Sequence, residues 1–392
     1  MPSNALATWR EELKQGLRAL DARNLRRSLA EIHGVNFCSN DYLGLAEHPK
    51  LHEAVIDAVT RARKVGGTAS RLLSGQTEEW RTLEEEFARF AGTEEALFFS
   101  SGYAANVGLL ASLVGKDDVV YSDVLNHASL IDGMRLSGAR KVIYPHLDLD
   151  ALEDALREEA GAPWRKVIIT ESVFSMNGDV APLKEIAGLA DKYGAAIILD
   201  EAHSTGVMGP QGRGLAAGAG IVPQLLAVVH TCGKALGCAG GFVCGPAELK
   251  EHLINHARTF IFSTALPPYF ARQISAAVSL AAGMDKERRE LQERAERFRN
   301  ALRAEGFDIA GSVSQIVPVV FGKIDETLDA VEHLQQDGFA VRAIRPPTVP
   351  EGKARLRLSL TCRIPEDEVD RLVGSLVAWQ AKHPVLTTAR RA

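Results

Sequence analysis

The sequence predicts an α/β protein: a large, doubly wound and mostly parallel sheet domain followed by a smaller α+β C-terminal domain, with a short N-terminal segment ahead of both. Three observations carry this expectation. Between about residues 50 and 280, short apolar runs alternate with helical patterns, the rhythm of strand–crossover–strand units. Those runs are continuously apolar rather than alternating, as strands covered on both faces require. Beyond about residue 280 the texture changes to a long, heavily charged helix and a fresh set of strands and helices. The expected division is 1–48 for an N-terminal helical segment, 49–283 for the large domain and 284–392 for the small one. A chain of 392 residues exceeds what one core usually holds.

Taken in order, MPSNALATWREELKQGL reads as a capped amphipathic helix that mixes acids with bases and lacks the uninterrupted apolar core of a signal peptide. The clearest strands are expected at 96–100, 119–121, 166–171, 195–200 and 227–230, and helices at 79–90, 104–113, 150–159 and 182–193 lie between them. The segment 285–305 is a long helix whose apolar stripe is Leu291, Ala295, Phe298 and Leu302. Strands near 317–321 and 355–360 and helices near 327–337 and 366–378 complete the small domain. The residues after Gln380 read as a frayed tail.

Composition narrows the function classes. Hydrophobic residues make up 46% and charged ones 24%, the balance of an ordinary soluble globular chain. The formal charge of −5 and the absence of any long block of like charge make nucleic acid a poor partner. No stretch approaches the roughly 18 apolar residues of a membrane span, so a cytoplasmic location is expected. The five cysteines, Cys38, Cys232, Cys238, Cys244 and Cys362, are scattered and never form a CxxC pair. They suggest neither a metal site nor a disulfide framework, and read as small buried hydrophobes.

Open α/β sheets bind ligands outside the carboxyl ends of their strands, so polar residues just past the apolar runs come first. Five places qualify: Ser101-Gly102-Tyr103, Asn126-His127, Ser175-Met176-Asn177-Gly178, Asp200-Glu201-Ala202-His203 and Thr231-Cys232-Gly233-Lys234. In FFSSGYAAN a strand runs through Gly102 into a helix, which turns backbone N–H groups toward an anion such as phosphate; a plain tight turn would read the same way. In AIILDEAHSTG a buried strand ends in Asp200, with His203 three positions on; an Asp capping the next turn is the competing reading. Lys234 sits between small residues, which let a planar group approach and bond its amine, whereas a lone loop lysine is usually a solvated charge. An anion pocket, an acid for a pyridinium nitrogen and an amine for an aldehyde together match pyridoxal phosphate. His127, ahead of a helix, could stack on the ring.

The segments NDYLGL (residues 40–45), SSGYAAN, NHASLIDG, ESVFSMNGD, LDEAHSTGVMG, TCGKALG and AIRPPTVP occur in this order. With them the chain resembles the α-oxoamine synthases among the fold-type I pyridoxal-phosphate enzymes, over nearly its whole length. The resemblance implies that Lys234 bonds the cofactor's aldehyde and later removes the α-proton. Asp200 pairs with the pyridinium nitrogen, His203 bonds the ring oxygen with Ser175 nearby, and His127 stacks on the ring where substrate also arrives. Gly102, Tyr103 and Thr231 hold the phosphate. It further implies that Arg357 grips the substrate carboxylate, that Arg26 (or its neighbour Arg27), Asn40 and Thr348 contact substrate, and that the enzyme is a homodimer in which Thr264 reaches the partner's phosphate. The reaction implied is decarboxylative condensation of an amino acid with an acyl thioester, and AIRPPTVP points to L-alanine and a pimeloyl thioester carried by coenzyme A or acyl carrier protein. Glycine or serine condensation with another acyl group, an aminotransferase or lyase on the same fold, and an inactive binding protein are the alternatives. Two positions depart from the common pattern: Asn177, where many relatives carry Asp, and Trp80, where they often carry His.

Overall fold

The computed structural model describes residues 5–383; the tail expected after Gln380 lies, from residue 384 onward, outside the described residues. The described strands are β1 (Val35–Asn36), β2 (Glu95–Phe99), β3 (Asp118–Asp123), β4 (Arg140–Tyr144), β5 (Arg165–Glu171), β6 (Ala195–Asp200), β7 (Ala227–Thr231) and β8 (Gly241–Gly245). They continue with β9 (Ile316–Gly322), β10 (Phe339–Ala340), β11 (Ala343–Ile344) and β12 (Ala354–Ser359). The described residues form two compact units, one of 40–293 with 361–363, the other of 5–39, 294–360 and 364–383. The boundary at 293 falls inside the charged helix Asp285–Ala304.

The first unit holds one seven-stranded sheet in the order β2-β8-β7-β6-β5-β3-β4. Strands β3 to β7 run parallel, and β8 pairs antiparallel with both β7 and β2. Successive residues of each strand serve opposite faces. On one face Val120, Val167, Ile169, Ile198 and Val229 pack against Leu109, Leu110, Leu130 and Leu253. On the other, Val119, Tyr121, Ile168, Ile197 and Leu199 meet Leu152, Leu156, Ile186 and Ala190. Both faces are dry, which is why the strands read as unbroken apolar runs, and each such side chain contributes roughly 1.5–3 kcal/mol on burial. The chain steps from β3 outward to β4 on one side and from β5 to β6 on the other. The crossover direction therefore changes between β3 and β5, where open sheets leave a ligand crevice. Residues 361–363 return to this unit as a stitch: Cys362 N–H donates to Tyr42 O at 2.8 Å and Arg363 pairs with Glu47 at 2.8 Å.

The second unit builds the antiparallel sheet β11-β12-β9, with the short parallel pair β1–β10 beside it. Helices Ile324–Gln336 and Glu366–Ala381 cover it, and Trp379 packs edge-on to Phe321 at 5.0 Å. The expected N-terminal helix spans Ala5–Ala22 with none of its residues buried. In the same unit, Arg345 donates to Asn24 O, and the Pro346–Pro347 bond is cis. Of the cysteines, Cys232 and Cys244 are buried while Cys38, Cys238 and Cys362 are half-buried, so the reading as buried hydrophobes holds fully for two.

Candidate active site

Polar residues at the carboxyl ends of β3, β5, β6 and β7 converge on one pocket, lined by Gly102, Tyr103, Asn106, His127, Glu171, Asp200, Thr231 and Lys234 among others. Its volume of about 140 Å³ is roughly that of ten water sites, so a substituted aromatic ring has room.

The loop after β7 presents Lys234, whose Nζ lies 2.8 Å from His203 Nε2. On the far side of that imidazole, Nδ1 is 2.7 Å from Tyr42 Oη, and the Tyr42 hydroxyl donates to Asn40 Oδ1 at 3.0 Å. With the hydroxyl proton used on Asn40, the chain has one consistent direction: His203 Nδ1–H donates to Tyr42 oxygen, and Nε2 accepts from Lys234. Asn40, Tyr42 and His203 thereby fix the amine.

Asp200 ends β6 almost fully buried. One carboxylate oxygen accepts from Asn106 Nδ2 at 2.7 Å and the other from the backbone N–H of Ala202 at 2.8 Å. Two donors thus satisfy this carboxylate in a buried place where one without partners would be costly. Asn106 also donates to Ser129 Oγ, at 2.9 Å, and Ser129 bonds His127 Nδ1 through both Oγ (2.8 Å) and its backbone N–H (3.2 Å). His127 is thus oriented at the start of helix Ala128–Ser137, and burial pushes its pKa down, so it stands neutral.

Glu171 ends β5 directly beside Asp200 in the strand register. It is 2% exposed. Its carboxyl group accepts the backbone N–H groups of His127 and Ser175, and burial, with Asp200 adding to it, pushes its pKa up to about 8.

The opposite end of the pocket is the start of helix Gly102–Leu113, where Ser101 Oγ caps Ala104 N–H at 3.0 Å and leaves the neighbouring N–H groups for an anion. A Cβ at Gly102 would meet Thr231 Oγ1 at 3.1 Å and Thr231 Cβ at 3.3 Å, so glycine keeps this cradle open. Tyr103, half-exposed, donates its hydroxyl to Asp132.

The structure therefore brings together Gly102, Tyr103, His127, Asp200, Thr231 and Lys234, with His203 and Asn40 behind the lysine and Ser175 bonded to Glu171. Thr264 stands elsewhere, on a loop bridged to Ser70. In the other unit, Arg27 donates to Thr348 Oγ1 at 3.1 Å, whereas Arg26 pairs with Asp21 at 2.8 Å. There too, Arg357 donates to Ser359 Oγ at 2.8 Å. Of the two departures, Trp80 is buried and stacks on Phe98 at 4.5 Å, and Asn177 donates to Asp179 at 3.1 Å. Neither lines the pocket. Sequence reasoning missed Asn106, Glu171 and Tyr42. Glu171 had a signal, since it ends an apolar run as Asp200 does, and Asn106 lies one helical turn beyond Gly102.

The pocket fits pyridoxal phosphate on its own chemistry. It has an anion cradle, a buried carboxylate accepting two hydrogen bonds, an amine on a small-residue loop, and, among the described residues, buried Glu171 Oε1 and Asn106 Oδ1 atoms without partners. A family model described as aminotransferase class I and II matches residues 32–376, and the chain belongs to that family of pyridoxal-phosphate enzymes. Its similarities within the family are narrower. An 8-amino-7-oxononanoate synthase of Geobacter sulfurreducens is 46% identical over 375 residues, covering 92% of this chain and 95% of that one. Among solved structures, a serine palmitoyltransferase variant from S. paucimobilis with a bound PLP–myriocin aldimine superposes with a TM-score of 0.86 at 28% identity, covering 98% of both chains. The 8-amino-7-oxononanoate synthase of Francisella tularensis gives 0.78 at 29% identity, covering 90% of this chain and 99% of the other.

Proposed function

We propose that the protein condenses L-alanine with a pimeloyl thioester, giving 8-amino-7-oxononanoate, carbon dioxide and a free thiol in biotin biosynthesis. The observation that carries this reading is the Lys234–His203 contact beside Asp200, in a chain 46% identical to an 8-amino-7-oxononanoate synthase over nearly its whole length. When bound, pyridoxal phosphate supplies an aldehyde for an amine to capture and a protonated ring that draws electrons from the substrate's α-carbon. The protein's residues do the rest. Lys234 would anchor the cofactor and would take the α-proton on its Nζ, with His203 keeping that nitrogen aimed. Asp200, both of whose oxygens are already bonded, keeps the proton on the ring nitrogen.

His127, in its neutral form, would hold the ring. Ser175 and His203 would hold the ring oxygen, while Gly102, Tyr103 and Thr231 would hold the phosphate. Arg357 takes the alanine carboxylate, because its planar fork of donors matches two carboxylate oxygens. Asn40, Thr348 and the Arg26–Arg27 pair attend the acyl substrate; the Arg27–Thr348 bond favours Arg27 within that pair. In the net reaction the α-carbon gains a bond to the acyl carbon and loses its bond to the carboxylate, the thiol leaving with a proton.

The reading includes a cytoplasmic homodimer, with Thr264 reaching the partner's phosphate. Exposed apolar side chains support the dimer: Leu6, Trp9, Leu13, Leu17 and Leu20 line one face of the N-terminal helix, and Leu73 and Phe262 flank the Ser70–Thr264 bridge. Activity per chain should fall on dilution into the range where the dimer separates, as followed by light scattering; full activity from a monomer would contradict it. No described helix is long and apolar enough to cross a membrane.

The test of the reaction is to supply L-alanine with pimeloyl-coenzyme A or the pimeloyl carrier protein and weigh the products. An amino-ketone of the expected mass with one carbon dioxide per thiol supports the reading. Carbon dioxide released only with glycine or serine would overturn the choice of substrate, and a keto acid formed without carbon dioxide would overturn the reaction class.

A further inference from the structure

His146 lies outside the pocket, just past β4, yet its imidazole sits between two carboxylates. Nδ1 is 2.9 Å from Asp123 Oδ1, and Nε2 is 2.8 Å from Asp179 Oδ2. The ring also stands edge-on to Phe174, with centroids 4.5 Å apart. Only an imidazole protonated on both nitrogens donates in both directions; a neutral ring would set a lone pair against one carboxylate. The side chain of Asp123 is wholly buried, and those of Asp179 and His146 are mostly so.

Each carboxylate anchors a loop that carries a pocket residue. Asp123 ends β3 and receives the N–H groups of Leu125 (2.8 Å) and Leu147 (2.9 Å), setting the turn that leads into Asn126 and His127. Asp179 closes the turn holding Ser175: its carbonyl accepts Phe174 N–H at 3.0 Å, and its carboxylate accepts Asn177 Nδ2 at 3.1 Å. On the pocket side the same two loops are joined by the Glu171 carboxyl group. They are therefore tied in front by Glu171 and behind by His146.

We infer that His146 is a positioning residue, which as an imidazolium clamps the His127 loop to the Ser175 loop and so holds the cofactor pocket in shape. This use also accounts for Asn177. An amide there donates to Asp179, whereas an aspartate would set a third carboxylate against the clamp. The charged groups facing the imidazole are Asp123 and Asp179. Tyr144, on β4, interacts with Asp123 and stays neutral, because burial drives its phenol well above its usual range. The two carboxylates outweigh burial and push the His146 pKa up to about 9, so the clamp holds at neutral pH and loosens as the pH rises through that value.

The inference rests on the pyridoxal-phosphate reading, and its test is cofactor affinity against pH from 7 to 10 in the Lys234→Ala background, where no covalent bond to the lysine contributes. With His146 present, affinity should fall about tenfold across pH 9. With His146→Gln added, it should be about tenfold weaker at pH 7 and should lack the step at pH 9, keeping only the change that Glu171 contributes near 8. Equal affinity and an equal pH profile in the two proteins would overturn the clamp while leaving the cofactor reading intact, and no binding at any pH would overturn both. Nitrogen NMR of the histidine side chains in the unsubstituted holoenzyme gives a second readout that does not depend on the variant folding: an imidazole at position 146 that titrates near 6.5 would also overturn the inference.

Discussion

Each polar group in the pocket owes its state to one or two named neighbours, so single substitutions should have separable effects. Lys234→Ala should remove the visible absorption of the lysine-linked cofactor and lower turnover by at least about a thousandfold, because the proposed anchor and base would be lost together. An unchanged circular dichroism spectrum would show that the fold survives, and an unchanged absorption spectrum would refute the role. Asn106→Ala removes the 2.7 Å donor to Asp200. A hydrogen bond to a charged group is worth about 1.5–3 kcal/mol, so cofactor affinity should fall by roughly 10- to 100-fold, as measured by equilibrium dialysis. A change of less than about twofold would mean that Ala202 N–H alone suffices. Lys234, Asp200 and His127 were legible in the sequence because each follows a strand end, where open sheets concentrate function. Tyr42 was not. Its contact with His203 joins positions 161 residues apart, and no local pattern encodes that.

At the level of elements, the proposed phosphate cradle depends on how closely β8 and the start of helix Gly102–Leu113 approach Thr231. Gly102→Ala should leave the melting temperature nearly unchanged, because alanine suits a helix better than glycine does, while crowding Thr231 at 3.1 Å. Affinity for pyridoxal phosphate should drop about tenfold, equivalent to about 1.4 kcal/mol, with little loss for pyridoxal, which lacks the phosphate; an equal loss for both would place the cradle elsewhere. The interior strands were readable because both their faces are dry. β4 was missed because it is an edge strand whose Arg140, Lys141 and Ile143 are exposed, so no unbroken apolar run forms. β8 was missed because Gly241 and Gly245 bracket only three other residues, and glycine is poor in strands. The antiparallel placement of β8, between β2 and β7, had no signature in the local sequence.

For the whole molecule, buried titrating groups shape the pH range of stability from both sides. His230 is fully buried, bonded to Thr205 Oγ1 at 2.8 Å, and burial drives its pKa down to about 3. A depressed histidine contributes stability above its unfolded value of 6.5 that is lost as pH falls, about 2 kcal/mol by pH 5. His146 and Glu201 have the opposite sign. His146 is raised to about 9 by its two carboxylates, and Glu201 to about 7 by burial. Their contributions are complete below the unfolded values of 6.5 and 4.5 and are lost as pH rises through 9 and 7 respectively. The melting temperature should therefore fall on the alkaline side between pH 7 and 9. On the acid side, where Glu201 gains stability as His230 loses it, His230→Gln should make the protein more stable at pH 5 relative to pH 6.5 than the unsubstituted chain is; an unaltered pH dependence there would mean that His230 titrates in the folded state as it does in the unfolded one. The stitch at residues 361–363 has a consequence in time. Tyr42, which steadies His203, has its backbone carbonyl bound by Cys362 N–H. A ribosome making this chain has released every strand of the seven-stranded sheet long before Cys362 emerges. The lysine's support is thus completed well after the sheet that carries it, and a chain cut short before Thr361 would leave the tunnel with that sheet fully encoded and Lys234 without this brace.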